Sequence, residues 1–441
     1  MANLLIESGA LIEGPGLPLR VDWGVAVEGN RIADVGPNAS LKERHQNAEV
    51  IEAEDLVLFP GFVNSHMHAY GLLAHGIPMH SQPKDFRGFL EDFWWPRVEN
   101  RLDRRMIRAA MAMACVRMIR SGYTSFCDIL EAPLTAPGIL DAEESVVRQA
   151  GLRAVLSIEV SERLGGKRAE EAFQENVRFM ESHLADDLVS GMMSLHTSFT
   201  CSEDLVARAK EAAVSLDSLL HVHLSESPYE PEACLERWGV RPVTWYERLG
   251  VLDERFLASQ VVAVDEEEVT TLAESGAQVA HMPLSNCEVG GGVSPVPEMI
   301  RQGIRPGLGS DGYINSAFEV MRGAFLIHKG VERDGSVMPA ETVLDMATRW
   351  GAQAIGLPAV GEIEAGKPAD IVGVRSDFDT PATDQNIATQ LVLFRGAHDV
   401  ALSMVDGRIL MKEGELVTME ETACREEAAA EAKRLWRGTN G

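Results

Sequence analysis

The sequence predicts an α/β protein built on a (β/α)8 TIM-type barrel, with a small β-sandwich domain assembled from both chain ends. Between about residues 59 and 357, short apolar runs alternate with helical stretches, a pattern typical of βα repeats around a parallel sheet. Eight of these runs are strand candidates, which is the number that a TIM barrel requires. Both chain ends contain short strands separated by Gly, Pro, Asn or Asp-Gly turns, so we expect them to share one sheet.

The same patterns predict the domain boundaries. Residues 1–57 and 362–441 should form the composite β domain, with a C-terminal helix near residues 420–437, and residues 58–361 the catalytic barrel. Strands of the β domain are predicted at residues 4–6, 10–13, 24–28, 31–35, 369–373, 400–404 and 409–412.

The eight barrel strands are predicted at residues 62–68, 124–128, 154–157, 192–196, 219–223, 259–265, 277–282 and 306–311. A helix is predicted over residues 102–121, where methionines recur at helical spacing and Gly122 ends the pattern. A methionine stripe of this kind indicates core packing.

Composition narrows the classes of function. A formal charge of −27 argues against polymeric nucleic acid and anionic membrane surfaces as partners, because both require a basic face. The sequence has neither an apolar window of about eighteen residues nor a basic leader followed by an apolar run, so we expect a cytoplasmic protein. The six cysteines form no C-x-x-C pair, which indicates neither a disulfide framework nor a thiolate zinc site.

The first barrel strand ends in two histidines one residue apart, His66 and His68. Side chains alternate along a strand, so both imidazoles project to the same side, as two ligands of one transition metal must. The turn at Pro60-Gly61 leads into this strand. Two unrelated polar residues on a strand remain the alternative interpretation.

Other barrel runs also end in polar residues, namely His196, His223, His281 and Asp311. The active site of a (β/α)8 barrel lies at the carboxyl ends of its strands, so we expect these side chains to meet there. His221 has the same strand parity as His223, and spacing alone does not separate them; the position at the strand end favours His223. Three imidazoles and one carboxylate suit zinc, with iron(II) or manganese as alternatives.

These motifs together resemble the amidohydrolase superfamily, in the branch that contains cytosine, guanine and methylthioadenosine/S-adenosylhomocysteine deaminases and the triazine hydrolases. The resemblance covers nearly the whole chain. It rests on Pro60-Gly61-Phe62-Val63-Asn64-Ser65-His66-Met67-His68, His196-Thr197-Ser198, His223-Leu224-Ser225-Glu226, His281-Met282-Pro283-Leu284-Ser285-Asn286, Gly309-Ser310-Asp311-Gly312 and the run from Gly361 to Asp370.

The resemblance implies that His66, His68, His223 and Asp311 hold one divalent metal. Water activated by the metal would lose its proton to Asp311 and attack the ring carbon that carries an amino group. Glu226 would protonate the ring nitrogen and then the departing ammonia. No lysine stands at a strand end in position to be carbamylated, which argues against the two-metal amidases of the same superfamily.

The remaining site residues are predicted as substrate contacts or as a departure from the family pattern. His196 ends the fourth strand where the family places a substrate contact, Trp94 and Trp95 are candidates to stack on a flat ring, and His281 belongs to the seventh loop. Relatives usually carry a histidine where this chain has Gln260. Glutamine can orient a water molecule but cannot exchange a proton with it.

The sequence therefore predicts a metal-dependent aminohydrolase of a nitrogen heterocycle such as a purine, pterin, pyrimidine or triazine. Two alternatives stay open: a hydrolase that removes chloride or an alkylamine from a similar ring or opens a cyclic amide, and a family member that has lost catalysis and only binds a ligand. Relatives are often dimers, so we also expect a homodimer or a higher homo-oligomer.

Overall fold

The structure is a computed structural model that describes residues 2–79, 83–312 and 314–437. The strands in these ranges are β1 (Leu4–Leu11), β2 (Arg20–Val21), β3 (Trp23–Glu28), β4 (Arg31–Pro37), β5 (Glu49–Pro60), β6 (Phe62–Met67), β7 (Tyr123–Leu130), β8 (Arg153–Val160), β9 (Val189–Gly191), β10 (Met193–Leu195), β11 (Leu220–Leu224), β12 (Phe256–Gln260), β13 (Gln278–His281), β14 (Gly307–Leu308), β15 (Ile371–Arg375), β16 (Val400–Val405), β17 (Arg408–Lys412) and β18 (Glu415–Leu416).

The helices are α1 (Asn38–Arg44), α2 (Phe86–Gly88), α3 (Trp95–Arg97), α4 (Arg104–Arg120), α5 (Ile139–Ala150), α6 (Gly166–Ser182), α7 (Glu203–Ser215), α8 (Tyr229–Trp238), α9 (Pro242–Arg248), α10 (Glu266–Ser275), α11 (Pro283–Glu288), α12 (Val296–Arg301), α13 (Ala317–Glu332), α14 (Ala340–Met346), α15 (Arg349–Ala354), α16 (Ile387–Phe394) and α17 (Glu421–Trp436). Short 3-10 turns cover Ala69–Ala74, Glu99–Arg101 and Ala397–Asp399, and a π-helical turn covers Phe89–Trp94.

Eight parallel strands form the barrel in the order β6-β7-β8-β10-β11-β12-β13-β14, which confirms the predicted fold class. A parallel bridge between Met67 and Asp311 joins the first strand to the segment after the last. The backbone N–H groups of Ser310 and Asp311 both donate to His66 O at 3.0 Å. The closing contact therefore brings Asp311 directly to the end of β6.

The chain ends form one sheet in the order β18-β17-β16-β15-β5-β1-β3-β4, as the sequence predicts. Strand β5 joins the N-terminal strands of this sheet to the C-terminal strands, because it pairs in parallel with β1 and antiparallel with β15. It runs to Pro60 and leads through Gly61 into the first barrel strand. The exact domain boundaries at residues 57 and 362 stay a prediction, and residues 438–441 lie outside the described ranges.

Several strand predictions need correction. The sixth barrel strand covers Phe256–Gln260 and not residues 259–265, because the backbone turns at Gln260 and Val261, whose φ angles are 75° and 49°. The second and third strands are longer than predicted and reach Leu130 and Val160, with every residue buried. The eighth covers only Gly307–Leu308. These shifts change which side chains lie at the strand ends.

Helix α4 confirms the prediction of a buried methionine stripe, since Met106, Met111 and Met118 are all buried. The carboxylate of Asp103 caps its first turn by accepting from the N–H groups of Arg105 and Met106 at 3.0 Å each. Helix α17 packs against α4, and Arg434 donates to Asp103 from both terminal nitrogens, at 2.6 and 2.8 Å. Across the described part of the chain, no helix is both long and apolar enough to cross a membrane.

Candidate active site

A cluster of ligand atoms lies where the barrel closes. His66 Nε2 is 3.2 Å from His68 Nε2, and His68 Nε2 is 3.3 Å from Asp311 Oδ1. Ligands bound to zinc at about 2.1 Å in a tetrahedron stand about 3.4 Å apart. The spacing of these three atoms therefore fits one divalent metal ion, and all three residues are buried.

The hydrogen bonds around His68 suit a metal ligand. Its Nδ1 lies 2.8 Å from the Ile129 carbonyl oxygen and donates to it, which leaves Nε2 with a free lone pair. Backbone packing also holds the end of β6 close to the segment that follows β14. A Cβ on Gly309 would lie 2.7 Å from His66 O, so a glycine is required for this approach.

The choice between His221 and His223 follows from their hydrogen bonds. His221 contacts Ser194 Oγ through Nδ1 at 2.9 Å and Ser259 Oγ through Nε2 at 3.1 Å, so both of its nitrogens are engaged. Both nitrogens of His223 lack a hydrogen-bond partner, although the residue is buried. Its ring centroid lies 5.1 Å from that of His66 and 5.4 Å from that of His68. His223, not His221, is therefore available as the third imidazole ligand.

Strained backbone surrounds this cluster. Ser225, Gln260, Val261 and Asp311 have φ angles between 49° and 75°, a region that side chains other than glycine adopt at a cost. Val261 N donates to Leu224 O at 2.9 Å, which ties the end of β12 to the end of β11. These turns direct the Gln260 and Asp311 side chains into the same space.

Asp311 is surrounded by donors. Its Oδ2 accepts from Gln260 Nε2 at 2.7 Å and from Ser285 Oγ at 2.9 Å, while Oδ1 accepts from Gly312 N at 2.7 Å. Burial alone would raise the pKa of Asp311, but His68 and these donors outweigh it and hold the pKa below its usual value. Asp311 is therefore an ionised carboxylate.

The Gln260 amide is itself oriented, because Asn286 Nδ2 donates to its Oε1. The amide therefore presents Nε2–H to Asp311. This places the glutamine beside the proposed metal ligand.

Glu226 has the opposite electrostatic environment. Burial raises its pKa well above the usual value, and the negative charges of Asp311 and Glu131 raise it further. Its side chain lines the same cavity as His68, His223 and Asp311. The two carboxyl groups on this cavity therefore have pKa values shifted in opposite directions, so Glu226 holds its proton more tightly than Asp311 does.

A cavity of about 790 Å³ opens over these residues. The segment after β6 supplies its aromatic wall, which includes Phe86, Phe89, Phe93 and Trp94. The π-helical turn Phe89–Trp94 brings Phe89 and Trp94 into a stack with ring centroids 5.3 Å apart. Trp95 is not among the lining residues and packs instead against His196 and Arg163, with its ring 5.9 Å from the imidazole centroid and 4.9 Å from the guanidinium carbon.

The two remaining predicted histidines differ in placement. His196 lines the cavity, and its Nδ1 lies 2.8 Å from Thr200 Oγ1. Burial lowers its pKa to about 3, so the ring is neutral. His281 is buried away from the lining residues, with Nε2 3.0 Å from Nε2 of His328 on α13. The structure therefore brings His196, but not His281, to the cavity.

Sequence reasoning missed a second group of polar residues in this region. They are Tyr70, Glu99, Glu131, Glu159 and Arg163. Glu131 follows directly after β7, and Glu159 is the penultimate residue of β8. Both strands were predicted too short, so the two glutamates were not recognised as strand-end residues. The continued apolar character of Ile129-Leu130 and of Ile158 was the signal that would have extended the strands.

Comparison with known proteins agrees with the fold. The model of the amidohydrolase family matches residues 57–410. The chain is 34% identical to a 5-methylthioadenosine/S-adenosylhomocysteine deaminase of Moorella thermoacetica, over 99% of this chain and 100% of that protein. It is also 34% identical to a 5'-deoxyadenosine deaminase of Methanothermobacter thermautotrophicus, over 98% of this chain and 99% of the other. Among solved structures, an adenosine deaminase from Xanthomonas campestris with bound zinc superposes with a TM-score of 0.90 at 26% identity, over 98% of both chains.

Proposed function

The chain belongs to the amidohydrolase family, and from this premise we infer that it is a metal-dependent deaminase whose substrate is an adenosine derivative. It is a hydrolase of carbon–nitrogen bonds that acts on a nitrogen heterocycle. The observation that carries the mechanism is that Asp311 and Glu226 line one cavity and have pKa values shifted in opposite directions, the first lowered and the second raised. Two carboxyl groups whose environments push their pKa values apart are the usual sign of an acid and a base with separate roles.

In this proposal, His66, His68, His223 and Asp311 would hold one divalent metal. A bound divalent ion supplies Lewis-acid chemistry and lowers the pKa of a water molecule towards neutrality. Zinc is the proposed ion, because the donor set of three imidazoles and one carboxylate suits it. The zinc in the Xanthomonas campestris structure supports this choice.

Proton transfers are assigned to the two carboxyl groups. The Asp311 carboxylate accepts the proton that water gives up as its oxygen bonds to the amino-bearing ring carbon. The protonated Glu226 donates to the adjacent ring nitrogen, which makes that carbon more electrophilic. The proton on Asp311 then passes by way of Glu226 to the amino group, and the carbon–nitrogen bond breaks. The new hydroxyl group returns a proton to Glu226 as it becomes the oxo group, so ammonia and an oxo-substituted ring are the products.

Gln260 and His196 have positioning and binding roles in this scheme. Gln260 donates to Asp311 and keeps the carboxylate turned towards the metal ligands. Neutral His196, anchored by Thr200, lines the cavity and is assigned as a contact for a ring nitrogen. Trp94 and its stacked neighbour Phe89 offer apolar faces to a flat heterocycle.

The size of the cavity and the names of the relatives support an adenosine derivative. A volume of about 790 Å³ has room for a nucleoside with an additional substituent, since ligand pockets commonly measure about 300–1,000 Å³. Both curated relatives described above are named as deaminases of adenosine derivatives. Location in the cytoplasm and assembly into a homodimer or higher homo-oligomer stay predictions.

The test is ammonia release from a panel of aminated heterocycles, with the metal content measured in the same sample. The panel contains adenosine, 5'-deoxyadenosine, 5'-methylthioadenosine, S-adenosylhomocysteine, guanine, cytosine and an aminopterin ring. We expect ammonia from the adenosine derivatives first. Turnover restricted to cytosine or pterin would overturn the substrate class, and a zinc-loaded protein inactive on the whole panel would favour a ligand-binding family member.

A further inference from the structure

The cavity over the proposed metal ligands also has a basic end, which the mechanism above does not use. Arg117 and Arg120 contribute to its lining from the last turn of α4, and Arg425 contributes from near the start of α17. Helices α4 and α17 pack against each other, so the three arginines lie on neighbouring elements. We name these three residues the arginine cluster.

One carboxylate serves two members of the arginine cluster. Arg120 Nε donates to Glu421 Oε2, and Arg425 Nη2 donates to Oε1 of the same carboxylate. Arg120 Nη1 also donates to Gly414 O at 3.0 Å, which is a neutral acceptor. Glu421 is the only ion-pair partner of these two arginines within the described residues. Two positive charges therefore share one negative charge.

Arg117 adds a further positive charge that has no ion-pair partner in the described part of the chain. The one hydrogen bond of its guanidinium there joins Nη1 to Nδ1 of His75 at 3.4 Å. Burial lowers the pKa of Arg117 and the charge of Arg425 lowers it further, while the charge of Glu319 opposes the shift. The side chain stays protonated, because the pKa of arginine lies far above neutrality. Since a guanidinium has five N–H donors, most of those on Arg117 have no acceptor among the described residues.

His75 connects the arginine cluster to the metal end of the cavity. Its Nε2 donates to Gly312 O at 2.6 Å, which leaves Nδ1 as the acceptor for Arg117. Gly312 directly follows the proposed metal ligand Asp311. The arginine cluster is therefore held to the segment that carries Asp311, and both line the same cavity.

We propose that the arginine cluster binds an oxyanion, a carboxylate or a phosphate group, at this end of the cavity. Guanidinium groups match such groups because their planar N–H donors form paired, charge-assisted hydrogen bonds. A metal cation would be repelled by the unbalanced charges, and an apolar group would leave the donors of Arg117 unused. The oxyanion is either a substituent of the heterocyclic substrate or a free anion that occupies the cavity with it. Only the first of these two sources rests on the proposed function.

The first test measures binding of inorganic phosphate to the zinc-loaded protein by titration calorimetry at low ionic strength. We expect the wild type to bind phosphate, and Arg117→Gln and Arg425→Gln each to weaken binding at least about tenfold, because each removes charge-assisted hydrogen bonds. Arg117→Lys keeps the charge and should weaken binding less than Arg117→Gln does. Added sodium chloride should weaken the binding to the wild type.

The matched control is Arg108→Gln, on the same helix as Arg117. Arg108 Nη1 donates to Ala142 O at 3.3 Å, and the residue is not among the cavity-lining residues. Its substitution should leave the affinity for phosphate at the wild-type value. A thermal melt and the zinc content of every variant identify a misfolded or metal-free protein. Arg425 is exposed on α17, so Arg425→Gln provides the test where Arg117→Gln does not fold.

The second test identifies the source of the oxyanion. It compares kcat/KM for 5'-S-(2-carboxyethyl)-5'-thioadenosine and for its carboxamide, two compounds of nearly equal shape and different charge. If the oxyanion belongs to the substrate, the wild type should prefer the carboxylate at least about tenfold, and Arg117→Gln should lose most of this preference. Equal kcat/KM values together with phosphate binding that depends on Arg117 would support the site and assign it to a free anion.

Two results would overturn the inference. Phosphate binding that persists unchanged in Arg117→Gln and Arg425→Gln would place the anion elsewhere, for example on the zinc. A wild type that neither binds phosphate nor prefers the carboxylate would show that the arginines only pair with Glu421 and solvent. Phosphate binding that depends on Arg117, with no ammonia released from either nucleoside, would refute the proposed deamination and still support the anion site.

Discussion

Replacing Gln260 tests whether a residue that departs from the family pattern assists the reaction. Gln260 Nε2 donates to the ionised Asp311 at 2.7 Å, and Ser285 Oγ donates to the same oxygen at 2.9 Å. Gln260→Ala removes the first donor and leaves the second. A hydrogen bond to a charged group contributes about 1.5–3 kcal/mol, which corresponds to about 10- to 150-fold in rate. Because Ser285 remains, we expect a fall in kcat near the lower end, about tenfold.

Two further substitutions should change kcat by amounts that differ from that of Gln260→Ala. Asn286→Ala removes the group that orients the Gln260 amide but leaves both side-chain donors to Asp311, Gln260 and Ser285, in the protein, so the fall in kcat should be smaller, about two- to fivefold. Gln260→His restores the residue that relatives usually carry and should keep or raise turnover. Gln390→Ala is the matched control, because Gln390 is a buried glutamine on α16 whose side chain donates to Thr380. Its kcat should equal that of the wild type.

The assay is steady-state ammonia release on the best adenosine-type substrate, with zinc content and a thermal melt for each variant. A Gln260→Ala variant that keeps full zinc and turns over within twofold of the wild type would refute the role assigned to Gln260. Loss of zinc from Gln260→Ala would also refute it, since Gln260 would then support the ligand set rather than the chemical step. If Gln260→His changes nothing while the wild type is inactive, the chain is a ligand-binding family member.

Three other predictions concern the metal, the acid and the stability of the barrel. The purified protein should carry about one equivalent of a divalent ion, and His68→Ala should lose most of it by elemental analysis; two equivalents in the active form would contradict the mononuclear site. Glu226→Gln should keep the metal yet lower kcat about 10²-fold or more. In the wild type we expect kcat to fall at alkaline pH, as pH rises through the raised pKa of Glu226, and this fall should be absent from Glu226→Gln. Burial and the charge of Asp128 raise the pKa of Glu143. Because the folded state then binds the Glu143 proton more tightly than the unfolded state does, the free energy of unfolding should fall as pH rises above about 4.3, the usual pKa of a glutamate. Glu143→Gln should therefore flatten the fall in melting temperature between pH 5 and 9, and an unchanged slope would exclude Glu143 as its source.

Much of the barrel and its site could be predicted because the carboxyl ends of all eight parallel strands lie at the same end of the barrel. His66, His68, His196, His223 and Asp311 are far apart in sequence, yet each stands at or just after the end of a predicted run. Parallel strands place their carboxyl ends on one face, so the order of the runs is enough to bring these side chains together. The aromatic segment after β6 was likewise visible as an unusual cluster of Phe and Trp.

Other features depend on backbone geometry that periodicity does not report. The sixth strand ends at Gln260 because Gln260 and Val261 adopt positive φ, and a β-branched residue gives no sequence signal for such a turn. His221 and His223 have equal parity, and only the serines on the neighbouring strands separate their roles. Glu131 and Glu159 were missed because the predicted strands ended at residues 128 and 157, before either glutamate, whereas the strands of the structure reach Leu130 and Val160.

The glutamine at position 260 lies in a cavity whose lining carries several carboxyl groups. Glu131, Glu226, Glu288 and Asp311 are among the lining residues, as is Gln260 itself, and the arginines of the lining are Arg117, Arg120 and Arg425. An imidazole at position 260 would be drawn towards its protonated form by the Asp311 carboxylate that it contacts, and its donor to Asp311 would then change with pH. A glutamine amide donates to Asp311 at every pH, because it does not titrate. Gln260→His should therefore introduce a new acidic limb into the pH dependence of kcat even where turnover at neutral pH is preserved. A pH profile identical to that of the wild type would show that the surrounding carboxyl groups do not act on position 260.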